Sequence, residues 1–274
     1  MIDIIGSSRL PCNVKEQDGW TCLPYPTKYT AGHTAFVTAP HGDRHRIYAI
    51  VGRPWYICQF IDVGEVEVEW TFVKAKLAVT RVHTCAVLLD HTTIVVCGGM
   101  GLDDKATAEC EQLDLITHTF SPFPAMTKPR CWHSGVHYDG TIVIICGSDM
   151  DLEGGTQTCE QYSPAIDKWI PFATPALCDY KLHAAVVDTK IYIVAINGMS
   201  EVYDGSAWNM IENTCPLRSH IAAIVPFRGR LILMETHWVG YVHAFDPKLH
   251  SWTDYKNSFT INILCDFPFV AISC

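Results

Sequence analysis

The sequence predicts an all-β domain built from repeated units of four short strands. Three observations lead to this prediction: an internal repeat, apolar runs of strand length separated by turn residues, and no helical periodicity between those runs. Two passages show the repeat directly, because "HTCAVLLDHTTIVVCGGMG" at 83–101 is followed 50 residues later by "HSGVHYDGTIVIICGSDM". A period near 50 residues with four strands per unit is typical of one blade of a β-propeller.

A histidine begins each unit, and an apolar run follows it. The first four histidines are spaced by 50 residues and the last by 37; they are His33, His83, His133, His183 and His220. Turn residues then precede a second apolar run, at "DHT" (90–92), "DGT" (139–141), "DTK" (188–190) and "RGR" (228–230). Asp-Gly between two apolar runs is a strong hairpin signal. The second runs are apolar at consecutive positions, which predicts strands covered on both faces.

Pairs of large side chains at a nearly constant step predict the third and fourth strands. The pairs seven residues apart are Leu113 with Phe120, Tyr162 with Trp169 and Phe245 with Trp252; Tyr203 and Trp208 are five apart. Turn residues lie between the members of each pair, as in "YSPAIDKW". Each unit should therefore end with a second hairpin.

The passages "VVCGG", "QYSPAIDKW" and "AFDPKLHSW" resemble the kelch repeat, in which two glycines end the second strand and a Tyr-Asp-Pro-like turn precedes a tryptophan. The resemblance covers about residues 20 to 254, and the unit with Gly98 and Gly99 keeps both glycines. It implies a propeller of four-stranded blades. Propellers of this family commonly act as scaffolds or as substrate adaptors.

The two ends of the chain are expected to complete the ring. "WTCLPYP" from Trp20 has the form of a last strand, and "FTINILCDFPFVAISC" at 259–274 supplies two apolar runs. Joined, the ends would make a sixth blade and remove the exposed sheet edges of an open array. We therefore expect one domain over residues 1–274: a six-bladed kelch-type β-propeller with four antiparallel strands per blade.

The composition is that of a packed globule, with 49% hydrophobic and 18% charged residues among 274. A formal net charge of −9 gives no general attraction for nucleic acid or for an anionic membrane. No run approaches the roughly 18 apolar residues of a spanning helix, and the start, "MIDIIGSSRLPC", lacks the pattern of a signal peptide. We expect a monomeric, cytoplasmic propeller that binds neither nucleic acid nor membrane.

The 13 cysteines are an odd number, and no C-x-x-C pair is present. Several stand in apolar runs, where a thiol acts as a small hydrophobic group. By the repeat, Cys97 and Cys146 take equivalent second-strand positions, as do Cys110 and Cys159 near the third strand. We expect these pairs to pack in neighbouring blades without bridging, in a reducing compartment that leaves no disulfides.

Two motifs that suggest a bound group are better explained by structure. The glycines of "CGGMG" at 97–101 lack the helix start that a phosphate loop requires, and they fit a close backbone approach at a strand end. The repeated histidines would lie on different blades, too far apart to share one metal ion. The sequence therefore predicts neither a cofactor nor a metal.

The candidate binding residues lie on the loops after the second and fourth strands, which emerge on one face because the strands alternate in direction. The second-strand loops are acidic or aromatic, and their candidates are Trp55, Tyr56, Asp103, Asp104, His237 and Trp238. The fourth-strand loops place a basic residue two or three positions before a histidine, namely Arg81, Arg130, Lys181 and Arg218. Because arginine forms bidentate hydrogen bonds with carboxylates and phosphates, this face should bind an acidic or phosphorylated peptide.

The expected function is a protein–protein interaction module, a scaffold or an adaptor, rather than an enzyme. With the propeller expected over residues 1–274, we expect no room in this sequence for the BTB or F-box domain by which adaptors are joined to ubiquitin ligases. The alternative is a propeller enzyme, either a sugar mutarotase, epimerase or lyase, or a galactose-oxidase-like oxidase. An acid and a base converging in one buried pocket would favour the enzyme, whereas an open charged face would favour the binding module.

Overall fold

The structure is a computed structural model, and it describes residues 2–5, 20–23, 34–51, 57–63, 69–74, 76–149, 156–178, 181–235 and 240–259. The regular elements of these residues are β-strands. Two short strands, β1 (Ile2–Ile5) and β2 (Trp20–Leu23), pair in parallel. The other strands form five antiparallel four-stranded sheets, the blades I to V, each with its strands in chain order.

The strand bounds of the five blades are as follows. Blade I contains β3 (Thr34–His41), β4 (Arg44–Val51), β5 (Ile57–Asp62) and β6 (Thr71–Phe72). Blade II contains β7 (Cys85–Asp90), β8 (Thr93–Cys97), β9 (Cys110–Asp114) and β10 (Thr119–Phe123). Blade III contains β11 (Ser134–Tyr138), β12 (Thr141–Ile145), β13 (Cys159–Ser163) and β14 (Lys168–Phe172). Blade IV contains β15 (His183–Val187), β16 (Lys190–Val194), β17 (Ser200–Tyr203) and β18 (Trp208–Ile211), and blade V contains β19 (Ile221–Phe227), β20 (Arg230–Glu235), β21 (Gly240–Asp246) and β22 (Ser251–Phe259).

The hairpins between first and second strands form at the turn residues that the sequence indicated. In blades III, IV and V the loop has two residues, which are Asp139 and Gly140, Asp188 and Thr189, and Arg228 and Gly229. Their φ angles run from 46° to 74°, which is the left-handed backbone of a type I′ turn. The predicted hairpins at these three places are confirmed.

The pairs of large side chains mark the register between third and fourth strands. The residues directly opposite each other are Leu113 and Phe120, Tyr162 and Trp169, Tyr203 and Trp208, and Phe245 and Trp252. The tryptophans also tie each blade to the one before it. Their indole N–H groups donate to the backbone carbonyls of Pro124, Ala173 and Asn213, at 2.7, 2.9 and 3.1 Å respectively.

The core lies within and between the blades. The second strand β12 is buried along its whole length, as the consecutive apolar run predicts. The first strands of successive blades pack side by side, β3 on β7, β7 on β11, β11 on β15 and β15 on β19. One apolar cluster shows how neighbours share a core, because Val87 and Phe123 of blade II pack with Ile142 and Tyr162 of blade III.

The described residues form five four-stranded blades, where the sequence led us to expect six. The sixth was expected from both ends of the chain. In the structure β1 and β2 form a separate parallel pair, whereas strands within a blade pair antiparallel. Residues 260–274, which were expected to supply two further strands, lie outside the described residues.

Candidate functional site

Register fixes which residues of different blades are structurally equivalent. The first strands of blades II, III and IV begin their pairing at Cys85, Ser134 and His183, which lie opposite Cys97, Ile145 and Val194. Two positions earlier stand His83, Trp132 and Lys181. We call these three residues the inter-blade row.

Backbone hydrogen bonds join the inter-blade row from blade to blade. The N–H of Trp132 donates to the carbonyl of His83, and the N–H of Lys181 donates to the carbonyl of Trp132, both at 3.2 Å. All three residues have positive φ angles, of 56°, 51° and 59°. Non-glycine residues rarely adopt this conformation, and it is often found at functional sites. The row is therefore a repeated backbone feature on one face of the propeller.

The side chains of the inter-blade row follow one another in the same order. The ring centroids of His83 and Trp132 are 4.6 Å apart. On the other side, the ammonium of Lys181 lies 5.8 Å from the Trp132 ring, within cation–π range. Lys181 is exposed and the two rings are half-buried. The row presents an imidazole, an indole and a cation to whatever approaches this face.

The histidines that head the units in sequence are not structurally equivalent. His83 stands two positions before the first paired residue of its strand, His133 stands one position before, and His183 is the paired residue itself. The neighbouring residues Arg81 and Arg130 are 49 residues apart, whereas the histidines are 50 apart. The interpretation of the histidines as one repeated position was therefore wrong.

His133 explains the glycines of the opening repeat. A Cβ on Gly98 would lie 2.8 Å from Cε1 of His133, and a Cβ on Gly147 would lie 2.8 Å from its Cβ. Both glycines have positive φ, a backbone conformation that glycine adopts with less strain than other residues. Neither ring nitrogen of His133 has a hydrogen-bond partner among the described residues. A Cβ on Gly98 would also lie 2.5 Å from the carbonyl oxygen of Arg130, and one on Gly147 would lie 2.9 Å from that of Cys131, so the predicted close backbone approach is confirmed.

Arg81 and Arg130, two of the predicted contact residues, lie in the interior of their blades. Their side chains are fully buried, and Arg130 is paired at 2.6 Å with Glu160 and Arg81 at 3.0 Å with Glu111. Arg130 also donates to the carbonyls of Cys146 (2.8 Å) and Thr158 (2.7 Å). Arginine supplies the five donors that such a set of buried acceptors requires. Neither side chain is available to a partner, and this part of the prediction is corrected.

The buried glutamates have a second role, which we call the loop clamp: a buried carboxylate accepts the N–H groups of two consecutive residues in the loop that enters its blade. Glu111 accepts from Ala78 (2.7 Å) and Val79 (3.3 Å). Glu160 accepts from Thr127 and Lys128 at the same two distances. In blade IV, Glu201 accepts from Ala176 (3.2 Å) and Leu177 (2.5 Å).

Sequence reasoning missed the loop clamp, although its signal was present. The three glutamates stand at the same third-strand position, in "CEQLD" (110–114), "CEQYS" (159–163) and "SEVYD" (200–204). All three are buried. Charged residues are almost never fully buried without a partner, so a glutamate repeated inside a strand predicts a structural carboxylate. Blade I carries Gln59, also buried, at this position.

Blade V builds its loop clamp from different residues. Its third strand carries His243 where the other blades carry glutamate, and the carboxylate comes from Glu235 at the end of the second strand. Glu235 accepts from the N–H of Arg218 (2.9 Å) and from the N–H and hydroxyl of Ser219, and it pairs with Nε2 of His243 at 2.5 Å. Burial raises the pKa of Glu235, but these hydrogen bonds outweigh it and hold the pKa below its usual value.

Glu235 also resolves a departure from the glycine pattern. By register it occupies the place of Gly98 in blade II and of Cys146 in blade III. Blade V therefore exchanges glycine for glutamate on one strand and glutamate for histidine on the next.

The other predicted site residues lie in several different settings. Arg218 is partly exposed; its guanidinium pairs with Asp254 at 2.8 Å and lies 4.5 Å from the Tyr241 ring centroid. Its own N–H belongs to a loop clamp, so it is not equivalent to Arg81. Asp103 and Asp104 are exposed on the loop after β8, on the face of the inter-blade row. Trp55, Tyr56, His237 and Trp238 lie outside the described residues.

Cysteine contacts differ from the sequence prediction. Cys146 and Cys178 form a disulfide, so the expectation that no cysteines are bridged was wrong. Register also places Cys97 opposite Cys110, and Ile145 opposite Cys159, so Cys146 is one position beyond the place of Cys97. The equivalence of Cys110 and Cys159 is confirmed. The spacing of 32 residues between the bridged cysteines carries no sequence signal.

Comparison with known proteins bears on the fold. No known protein family matches the sequence, and no curated protein matches it either. Among solved structures the chain is similar to that titled "Structure of YjhT", a β-propeller, with a TM-score of 0.65 and 11% identity over 83% of this chain and 84% of that one. The chain folds as a β-propeller. At this identity the likeness shows the fold alone.

One finding concerns membranes. No helix among the described residues is long and apolar enough to span a bilayer.

Proposed function

We propose that the chain is a protein-interaction module of the kelch type that binds an acidic or phosphorylated peptide on the face of the inter-blade row. The observation that carries the proposal is the row itself, in which His83, Trp132 and Lys181 of three neighbouring blades are held in order by backbone hydrogen bonds. A rigid row of this kind limits the conformational entropy that a partner's binding would cost.

The chemistry of the row suits an extended peptide with a negative side chain. The Lys181 ammonium pairs with a carboxylate or phosphate, and the Trp132 ring offers a flat apolar contact beside it. Arg218, on the fourth-strand loop of the next blade, supplies a second partly exposed cation. Exposed apolar side chains of second-strand loops on the same face, Leu102, Ile196 and Met199, extend the contact surface.

We also propose that a sixth blade, formed from both ends of the chain, closes the ring. The first strands of blades I to V pack in sequence, but no comparable packing joins β19 to β3 in the described residues. A closing blade would cover these two edges. Deletion of residues 260–274 should then give an aggregating or protease-sensitive protein. A deletion variant that stays monomeric with an unchanged Tm would contradict closure.

A charge-reversal pair tests the binding proposal within one blade. Lys181→Glu places a negative charge in the row, whereas Lys190→Glu makes the same change in the β15–β16 hairpin, on the opposite face. Both side chains are exposed, so both variants should fold. A library of acidic and phosphorylated peptides with neutral counterparts would first identify a ligand for the wild type by fluorescence anisotropy.

Lys181→Glu should raise the Kd of that peptide by about 10-fold or more, because hydrogen bonds to charged groups are worth about 1.5–3 kcal/mol. Lys190→Glu should leave the Kd unchanged. If the library contains no ligand, or if Lys190→Glu weakens binding while Lys181→Glu does not, the proposed face is wrong.

A further inference from the structure

Three cysteines meet at the boundary between blades III and IV. Cys146 follows β12, Cys159 begins β13, and Cys178 lies in the loop that enters blade IV. Their sulfur atoms all lie within 4.8 Å of one another. Cys146 and Cys178 are bonded, and Sγ of Cys159 is 3.9 Å from Sγ of Cys146. We call these residues the three-sulfur cluster.

The cluster has the dimensions of a thiolate metal site. A Zn–S bond of about 2.3 Å and a tetrahedral angle place two ligand sulfurs about 3.8 Å apart. Cys146 and Cys159 already have this separation. Once the disulfide is reduced, a shift of Cys178 Sγ by roughly one Zn–S bond length would place it at the same distance from Cys146 Sγ. Little rearrangement separates the disulfide from a three-thiolate arrangement.

The repeat shows that the fold does not require sulfur at these positions. Glycine and cysteine (Gly98 and Cys110) occupy the places of Cys146 and Cys159 in blade II, and alanine and serine (Ala195 and Ser200) occupy them in blade IV. A cysteine acting only as a small apolar residue would explain either position singly. It does not explain why both positions carry sulfur in blade III, next to a third cysteine from the entering loop.

We propose that the reduced three-sulfur cluster binds one soft cation of the zinc class. Thiolates select such ions over the hard cations that prefer oxygen. Each thiol gives up its proton to solvent as its sulfur bonds the divalent ion, so three protons leave and the site carries one net negative charge. The fourth position of the ion is left for water. Thr156 lies beside the cluster, because its carbonyl oxygen is 3.8 Å from Cys178 Sγ. Its buried hydroxyl has no hydrogen-bond partner among the described residues.

A buried ion pair lies beside the cluster. Arg130 donates to the carbonyl of Cys146 at 2.8 Å and is paired at 2.6 Å with Glu160, the residue that follows Cys159. Thiols bind a cation of the zinc class as thiolates, so binding releases their protons to solvent.

The test uses the full chain after reduction with a water-soluble phosphine. The phosphine takes oxygen from water and becomes its oxide, while each sulfur of the disulfide gains a hydrogen. After anaerobic removal of the reductant, Zn²⁺ is titrated in competition with a chromophoric chelator. The wild type should bind one equivalent of Zn²⁺. It should bind this ion more tightly than the variant Cys159→Ser, which loses one ligand but keeps both cysteines of the disulfide.

The affinity of Cys159→Ser should fall at least about 100-fold, since loss of even an outer hydrogen-bond partner costs about 10–100-fold. The matched control is Cys58→Ser, which changes a buried cysteine at the equivalent third-strand position of blade I. That variant should bind zinc as the wild type does.

A second measurement keeps the proposal testable if Cys159→Ser does not fold. Zn²⁺ should protect Cys146, Cys159 and Cys178 of the reduced wild type together from alkylation, as read by peptide mass. The proposal is overturned if the reduced wild type binds no zinc, if Cys159→Ser binds it equally well, or if zinc protects other cysteines and leaves these three reactive.

Discussion

Blades III and V hold their entering loops in the same way with different residues. In blade III the carboxylate of Glu160 comes from the third strand and is paired with the buried Arg130. In blade V the carboxylate of Glu235 comes from the second strand, and its neighbour on the third strand is His243. Blades II to V thus retain a carboxylate beneath the entering loop, and blade V supplies it from a different strand.

This retention has a physical cause. The loop that enters each of blades II to V has two consecutive N–H groups that donate to a buried carboxylate. An unpaired buried N–H costs about 1–3 kcal/mol, and one carboxylate can accept both. The carboxylate must then be compensated, because a buried charge without a partner is strongly destabilising. In blade III this partner is Arg130, and in blade V it is His243.

The largest predicted effect comes from removing the fixed charge. Arg130→Met leaves Glu160 buried without its cation and leaves two carbonyls without their donor. We expect a loss of about 3–5 kcal/mol in the free energy of unfolding, measured by urea denaturation. Arg218→Met, which removes a partly exposed arginine of blade V, is the control and should cost far less. Equal losses for the two variants would show that Arg130 is not a buried structural charge.

A smaller effect is expected at the glycine that blade V replaces. A Cβ at Gly98 would lie 2.5 Å from the carbonyl oxygen of Arg130, and the backbone φ is +54°. Gly98→Ala should cost about 2–3 kcal/mol from overpacking and strain. Gly140→Ala, at φ +74° with open space around it, adds only the strain and should cost about 1 kcal/mol. If both substitutions cost the same in thermal unfolding, contact with the neighbouring blade contributes nothing.

Blade V should respond to acid through Glu235. The pKa of Glu235 is held below its usual value, so its contribution to stability is complete above about pH 4.5 and is lost as the pH falls through the lowered pKa. Glu235 is paired with His243 and accepts from the N–H of Arg218 and the hydroxyl of Ser219, and Asp254 lies 3.8 Å from Nδ1 of His243. Glu235→Gln should therefore flatten the dependence of the unfolding free energy on pH below 5. An unchanged slope in denaturant unfolding from pH 6 to pH 3 would contradict this.

Sequence reasoning predicted the parts of the fold that depend on local patterns. Apolar runs and Asp-Gly turns are local signals, and so are the pairs of aromatic residues, such as Tyr162 with Trp169, that lie opposite each other in the structure. The number of blades depended on pairing between the two ends, which no local pattern fixes. The described residues show five blades and a parallel pair, β1 with β2.

The candidate site was harder to predict, because spacing in sequence does not give direction in space. Arg130 and Lys181 stand at similar distances before a histidine, yet one side chain is buried and the other is exposed. The first strands of blades II to IV recur every 49 residues, whereas the histidines recur every 50, so each histidine falls at a different position relative to its strand. The disulfide between Cys146 and Cys178 was missed for a related reason, since it joins non-equivalent positions of adjoining blades.

The central claim is that blade V moved the clamp carboxylate from the third strand to the second. A double-mutant cycle in blade V tests it directly, with Glu235→Gly and His243→Glu made singly and together. Glu235→Gly removes the carboxylate and leaves its N–H donors unpaired, and His243→Glu places a second carboxylate beside the first. The double variant restores one carboxylate, in the arrangement of blades II to IV. It should be more stable to urea than either single variant, with a coupling free energy of about 1–3 kcal/mol; simple additivity of the two losses would contradict the claim.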